Sequence, residues 1–383
     1  MTTTKMPNDK PQKKLLILSA AVGAGHTIAA RAVLEACQSE HPELNAEWLD
    51  SFDFCPRFYG GFYKKLYATL ANRYPHFYGY CYDRLDGKTN KKKNSPFVEF
   101  LDRRLFKKFL RRIEEEQPTH ILSTHFQPGD VVSLLKKDGR INAKVGIIGC
   151  DFYLHSLWET KLADFYVVAT PEIKSIFVER GHPPESIHVI GIPVNPAFSE
   201  PFDRRELLGK LDCHDRSPIV LTIASGWQKI GAEVIVEALV SCGINMQILA
   251  VAGKNKESEE KMRAVKPPEG VDLHVFGFVK NVHEMMKVSD VFVAKPGGLA
   301  TVEALSVGLP IIAMNPVPGQ EEHNCHYVME QGAGMLVTQT GSLKYKLRKF
   351  LEDKELAARM RERAKAIGRP RAAFDIADLI ASM

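Results

Sequence analysis

The chain has 383 residues, 45% hydrophobic and 25% charged, with a formal net charge of +5; this is too long for one ordinary core and suits two α/β domains. No apolar run approaches the roughly 18 to 20 residues that span a bilayer, and the polar residues 1–14 read as a loose tail without the apolar stretch of a signal peptide. Seven scattered cysteines without a CxxC pair argue for reduced thiols in the cytosol and against a zinc site or disulfide framework.

Lys14–Ala20 reads as a short buried strand. It runs into Ala21-Val22-Gly23-Ala24-Gly25-His26 and an alanine-rich helix, Thr27–Gln38. This strand, glycine loop and helix open a doubly wound sheet, whose ligands gather at the carboxyl ends of the strands. A histidine at such an end can take a proton near neutral pH; the same position suits a histidine that caps a helix, and on residues alone the two readings are even. Ala46–Leu49 reads as a second strand.

Cys55–Lys93 looks irregular and aromatic. Ser95-Pro96 suits the start of a helix, which continues with an apolar stripe at Phe97, Leu101, Leu105, Phe109 and Ile113 and basic residues between. Cys55–Arg112 holds 15 Lys and Arg against 4 Asp and Glu, a local charge of +11, and 14 of the 34 Phe, Tyr and Trp residues. Basic and aromatic together, the segment fits an anionic surface with an apolar layer beneath. It carries no nucleic-acid motif.

Ile121–Ser123, Val145–Gly149 and Tyr166–Ala169 read as buried strands. Ile187–Pro193 closes the first half, and Pro193–Pro201 is a proline-punctuated linker. A second αβ series follows, with strands near Ile219–Ala224, Gln247–Ala252, Leu273–Phe276 and Val291–Ala294. Beyond Leu343 the chain is charged and helical, and Gly368-Arg369-Pro370 precedes a last helix, Ala372–Ala381.

The densest chemistry lies in Val293–Gly334. The strand Val291–Ala294 ends in Lys295-Pro296-Gly297-Gly298, where two glycines allow a tight turn and close approach of a ligand. The helix from about Leu299 directs its free N–H groups back at that turn, which favours a diphosphate. Glu303, in the first turns of the helix, suits a ribose diol. A strand, Pro310–Met314, then opens into the stiff loop Pro316-Val317-Pro318-Gly319 and the polar cluster Gln320-Glu321-Glu322-His323-Asn324, suited to hydroxyls. Diphosphate, ribose and polyol side by side describe a nucleotide sugar.

This stretch resembles the donor signature of the family of monogalactosyldiacylglycerol synthases and processive diacylglycerol glucosyltransferases, in which KPGG, the helix glutamate and PGQE followed by Asn occur in this order. It is more distantly similar to the transferase that adds N-acetylglucosamine to the peptidoglycan lipid precursor. The resemblance implies the α/β glycosyltransferase-B fold: two Rossmann-like domains facing across a cleft, with the C-terminal helix crossing back. The expected divisions are a tail, 1–14; an acceptor and membrane-docking domain, 15–195; a UDP-sugar-binding domain, 202–367; and a returning helix, 368–383. The family's GGGH or GAGH falls on Gly23–His26. This implies that Gly25 approaches the donor and that His26 faces the cleft as general base; Ala24 departs from the pattern. The family's TDF, then His, then Trp falls on Cys150–Trp158, with Cys150 in place of threonine, and implies site roles for Asp151 and His155. His125 matches the histidine of an HP-type motif more loosely. Ala224-Ser225-Gly226 matches a turn lying against the donor diphosphate, and Phe276-Gly277-Phe278-Val279 the turn at which the residue after the glycine faces uracil.

The implied activity is transfer of glucose or galactose from UDP to the 3-hydroxyl of 1,2-diacylglycerol, inverting to a β-glycolipid at the inner face of the cell membrane. His26 is the base, with Asp151 and His155 beside it. Gly25, Gly226, Phe278, Gly297, Gly298, Glu303, Gln320, Glu321 and Asn324 hold the donor. No cofactor is expected beyond the UDP-hexose itself, and no metal-bearing aspartate pair stands out. Two alternatives stay open: a UDP-N-acetylglucosamine transferase acting on another lipid, and a catalytically silent nucleotide-sugar sensor.

Overall fold

A computed structural model describes residues 13–86, 95–160, 162–224 and 231–383. Twelve strands form two parallel sheets. In the first, the order is β2-β1-β3-β4-β5-β6, with β1 at Leu15–Ser19, β2 at Ala46–Asp50, β3 at His120–Ser123, β4 at Lys144–Ile148, β5 at Phe165–Val168 and β6 at Ile187–Val189. In the second, the order is β12-β11-β10-β7-β8-β9, with β7 at Ile219–Ile223, β8 at Met246–Val251, β9 at Val271–Phe276, β10 at Val291–Ala294, β11 at Ile311–Met314 and β12 at Gly334–Val337. Parallel strands covered by helices are buried on both faces and so appear in sequence as continuous apolar runs. LLILS of β1 and VFVA of β10 are such runs, fully buried.

The strand order fixes where ligands can bind. Each sheet reverses direction once: between β1 and β3 in the first, and between β7 and β10 in the second. At such a switch point the following loops diverge and leave a crevice at the carboxyl ends of the strands. The loops after β1 and β3 carry His26 and His125. The loop after β10 carries Lys295–Gly298.

The last helix, Ala372–Ser382, packs against the first, Ala24–Glu40. It buries Ala372, Ala373, Ile376, Ala377 and Ile380, and Lys13 Nζ donates to the Ala381 carbonyl at 2.6 Å. Gly191, at φ +115°, lies where a Cβ would come within 2.9 Å of Arg369, so the returning segment crosses the first sheet's loops tightly.

The basic, aromatic segment departs from expectation. Within it, Arg57–Arg73 and Pro75–Leu85 are helices, not irregular chain. Tyr59 and Tyr63 pack on Phe52, which anchors one face, while Phe58 and Phe62 point to solvent, 75% and 65% exposed. The expected single helix after Pro96 is two, Pro96–Leu105 and Lys107–Glu116. They break at Phe106, which is fully buried. The apolar stripe therefore divides: Phe109 and Ile113 join the core, whereas Phe97 is 68% exposed.

Candidate active site

On the first sheet's edge, the helix Ala24–Glu40 begins straight after β1, with Gly23 extended before it. Ala24 is not among the residues at positive φ, so alanine replaces glycine there without strain. His26 sits in the first turn. Its Nδ1 donates to the Thr124 carbonyl at 2.8 Å, and Thr124 Oγ1 donates back to the His26 carbonyl at 2.9 Å. With the proton on Nδ1, the Nε2 lone pair is left to accept. Burial pushes the imidazole down to about 4, against the pull of the Thr124 carbonyl, so the ring is neutral at physiological pH. The rings of His125 and Trp158 lie 4.7 Å and 5.8 Å from it.

The other two histidines of this edge are engaged within the chain. His125 Nδ1 accepts from the Gln127 amide at 3.2 Å and caps the helix Phe126–Lys137. His155 is wholly buried. Its Nδ1 accepts from the Leu157 amide at 3.0 Å, and its Nε2 donates to the Tyr82 carbonyl at 2.9 Å. The expected site role of His155 is thus displaced: both nitrogens are used in holding the loop Asp151–Trp158 against the helix Pro75–Leu85.

On the second sheet's edge, the helix Gly298–Ser306 starts after β10 without a side-chain cap. Its first N–H groups remain for an anion. Gly297 is not at positive φ. The need for Gly298 is one of space: a Cβ there would lie 2.8 Å from the Cys150 carbonyl and 3.4 Å from Asp151 Oδ1. Glu303 is half-buried and has no hydrogen-bond partner among the described residues. Burial alone lifts its carboxyl to about 8. Thr301 Oγ1, on the same helix, is buried without a partner among the described residues.

Gln320–Asn324 stand in the first turns of the helix Gln320–Glu330, not in the preceding loop. Gln320 Nε2 donates to both oxygens of Asp151, at 2.8 and 3.0 Å. Burial raises the Asp151 carboxyl to about 6, opposed by its bonds to Gln320. Asn324 Oδ1 accepts from the Phe152 amide at 3.2 Å, while its buried Nδ2 has no partner at hydrogen-bond distance. Glu321 is turned inward: it accepts from the Val317 amide at 2.8 Å and stands 3.3 Å from Lys295 Nζ. Burial raises its carboxyl while Lys295 pulls it back. Its oxygens brace the loop Pro316–Gly319.

The two edges meet. A Cβ on Gly25 would stand 3.6 Å from Leu299 Cβ, so the helix start bearing His26 abuts the start of the donor-side helix. Gly25, His26, Asp151, Gly297, Gly298, Gln320 and Asn324 thus gather at one cleft. Phe278 follows β9 on the same sheet edge, 60% exposed with Lys254 Nζ 5.0 Å from its ring. Gly226, and Lys229 beside it, lie outside the described residues. Three contributors were not foreseen. Thr124 orients His26 through its backbone carbonyl, which no side-chain motif signals. The pairing of Lys295 with Glu321 joins two residues of the recognised signature whose contact spans the β10–β11 crossover. Tyr153 stacks on His323 at 3.9 Å, joining a loop and a helix far apart in sequence.

The two parallel sheets, with their switch-point edges meeting, are those of the GT-B fold. Residues 26–194 match the model of the monogalactosyldiacylglycerol (MGDG) synthase family, and residues 203–367 that of glycosyl transferases group 1. It is 28% identical over 357 residues to the processive diacylglycerol beta-glucosyltransferase of Bacillus subtilis, covering 92% of this chain and 91% of that one. It is 29% identical over 367 residues to the Bacillus cytotoxicus protein of the same name, covering 96% and 93%. Among solved structures, Acinetobacter baumannii MurG superposes with a TM-score of 0.65 at 17% identity, over 97% of this chain and 100% of that one. MnaA of S. aureus, in complex with UDP, superposes at 0.64 with 16% identity, over 96% of each chain.

Proposed function

We propose that the protein transfers glucose or galactose from a UDP-hexose to the 3-hydroxyl of 1,2-diacylglycerol, with inversion, giving a β-glycosyldiacylglycerol at the surface of an anionic membrane. The observation that carries this reading is the meeting of two groups across the cleft. His26, whose Nε2 is left to accept, directly follows Gly25, which meets Leu299 at the uncapped glycine N-terminus of the helix Gly298–Ser306. The first is a base for an acceptor hydroxyl; the second is a cradle for a leaving diphosphate. Nε2 takes the hydroxyl proton as the oxygen attacks the anomeric carbon from the face opposite UDP. The C–O bond to UDP breaks, and its electron pair leaves on the diphosphate, held by the N–H groups beyond Gly297. Glu303 holds the ribose, Phe278 faces the base, and Gln320 and Asn324 hold the sugar, while Asp151 aligns Gln320. No step runs through a metal ion.

Relatives named for transfer to diacylglycerol support the acceptor. The surface supports where it is met. Phe58, Phe62, Phe77, Phe97 and Phe100 are each more than half exposed, next to the exposed cations Arg104, Lys107 and Lys108. An aromatic and basic surface of this kind fits the interface of an anionic bilayer; Lys91–Lys93, expected to join it, lie outside the described residues.

Product analysis with UDP-glucose, UDP-galactose and UDP-N-acetylglucosamine against diacylglycerol tests the reaction. A β-hexosyl product from either UDP-hexose is expected, and turnover of UDP-N-acetylglucosamine alone would overturn it. Co-sedimentation with vesicles tests the surface. Each cation facing an anionic leaflet contributes about 1 kcal/mol, so Lys107→Gln with Lys108→Gln weakens binding to anionic vesicles by about tenfold or more, as does salt. Binding indifferent to lipid charge would sink this part.

A further inference from the structure

The helix Pro75–Leu85 belongs to the acceptor-side half, and nothing in the reaction requires it near the sugar. It nevertheless lies against the loop that carries the donor groups. A Cβ on Gly79 would stand 2.7 Å from Pro318 Cβ and 2.9 Å from the Pro318 backbone carbon. A Cβ on Gly319, which is at φ +87°, would stand 3.2 Å from Tyr82 Cδ1 and 3.5 Å from Gly79 Cα. Two glycines from opposite halves thus bring backbone against backbone, an approach that any side chain at Gly79 would push apart.

The contact is one link of a closed circuit. Tyr82 is held from behind by His155, whose Nε2 donates to its carbonyl at 2.9 Å and whose ring lies 4.1 Å from the tyrosine ring. His155 stands four residues after Asp151 on the same loop. Asp151 accepts from Gln320, and Gln320 follows Gly319. The helix, the acceptor-side loop and the donor loop therefore fix one another's positions: moving the helix moves Gly319 and, through it, Gln320.

We propose that Gly79 and Tyr82 are positioning residues for the donor sugar: they touch no substrate and set the place of Pro318-Gly319, and so of Gln320. This rests on the proposed UDP-hexose reading for its ligand, but the positioning itself can be read without a donor. The variants are Gly79→Ala, Tyr82→Ala and the conservative Tyr82→Phe, which keeps the ring that meets Gly319. Hydrogen exchange of the full-length protein, without ligand, reads the Val317 and Gly319 amides, which donate to Glu321 and Glu322. Calorimetry then compares UDP with UDP-glucose and UDP-galactose.

In Gly79→Ala and Tyr82→Ala, exchange at these two amides should quicken, and the UDP-hexose that wild type binds should weaken by about tenfold to a hundredfold, as expected for misplacement near an ångström. UDP alone should bind as in wild type, and Tyr82→Phe should restore both readings. Unchanged exchange in both variants would overturn the proposal, as would equal losses for UDP and UDP-hexose. A wild type that binds no UDP-hexose would refute the proposed function, while exchange still decides the coupling. If Gly79→Ala fails to fold, Tyr82→Ala against Tyr82→Phe carries the test.

Discussion

The two sides of the cleft differ in how their polar groups are satisfied. On the acceptor side, His125 caps a helix, His155 uses both nitrogens inside the chain, and Asp151 is bound by Gln320. His26 alone of these histidines is left with an accepting nitrogen beside the donor-side helix. On the donor side, the helix Gly298–Ser306 is uncapped, Glu303 has no hydrogen-bond partner among the described residues, and the buried Thr301 Oγ1 and Asn324 Nδ2 lack one. Buried polar groups without partners are costly, and both sides keep some among the described residues: Thr27 Oγ1 and Gln127 Nε2 beside the histidines, Thr301 Oγ1 and Asn324 Nδ2 across from them; the donor side adds an uncapped helix start and the unbonded Glu303 carboxyl. One side holds its ionisable side chains in bonds within the chain; the other leaves a carboxyl and a helix start unbonded among the described residues.

This contrast sets the order of expected effects. His26→Ala should lower kcat by about 10²- to 10⁴-fold, the usual worth of a general base, with UDP affinity and stability near wild type. Steady-state kinetics with calorimetry decide, and a near wild-type kcat would remove the base from His26.

The next effect separates the ends of the donor. Glu303→Ala should weaken UDP and UDP-hexose alike, because the ribose belongs to both. Gln320→Ala and Asn324→Ala should weaken only UDP-hexose, by about tenfold, the equivalent of 1.4 kcal/mol. Equal losses for both ligands in all three variants would erase the distinction.

His155 sharpens the comparison from the frame side. His155→Ala removes the bonds to the Leu157 amide and the Tyr82 carbonyl. It should cost about 1–3 kcal/mol of stability, read by denaturant titration, with a smaller loss of rate than His26→Ala. The reverse weighting would return His155 to the chemistry.

A separate test is a pH dependence. The folded-state carboxyl of Glu303 lies at about 8 against an ordinary 4.5, so the folded state holds a proton that the unfolded chain releases. Its contribution therefore makes stability fall as pH rises from 4.5 towards 8. Glu303→Gln should remove that fall and gain on wild type more at pH 8.5 than at pH 5, by thermal denaturation. A ribose diol favours the carboxylate, so UDP binding at pH 7 should release a proton in wild type and none from this position in the glutamine variant.

Much of this was legible in the chain. Apolar runs such as LLILS and VFVA mark buried parallel strands because both faces are covered. Glycine turns after strands mark ligand edges because the backbone must turn and approach closely. KPGG, Glu303 and PGQE were readable as a donor signature because its members are near neighbours in sequence. The aromatic segment was misread as irregular because its helices face the body with tyrosines and solvent with phenylalanines, a pattern without clear polar alternation. The break at Phe106 followed from burial, which period alone does not show. His155 could not be told from a site residue by motif, since capping and catalysis draw on the same imidazole.

By itself, then, the sequence determined the two sheets, the glycine turns at their edges and the place of His26, all of which rest on local patterns. Only the tertiary structure decided which polar groups are engaged and which are open: Thr124 behind His26, Lys295 against Glu321, Gln320 on Asp151, and Gly79 against Gly319. Each of these joins elements separated by a crossover or by the full cleft, and hydrogen bonding and close packing depend on distances that the topology sets and residue type does not.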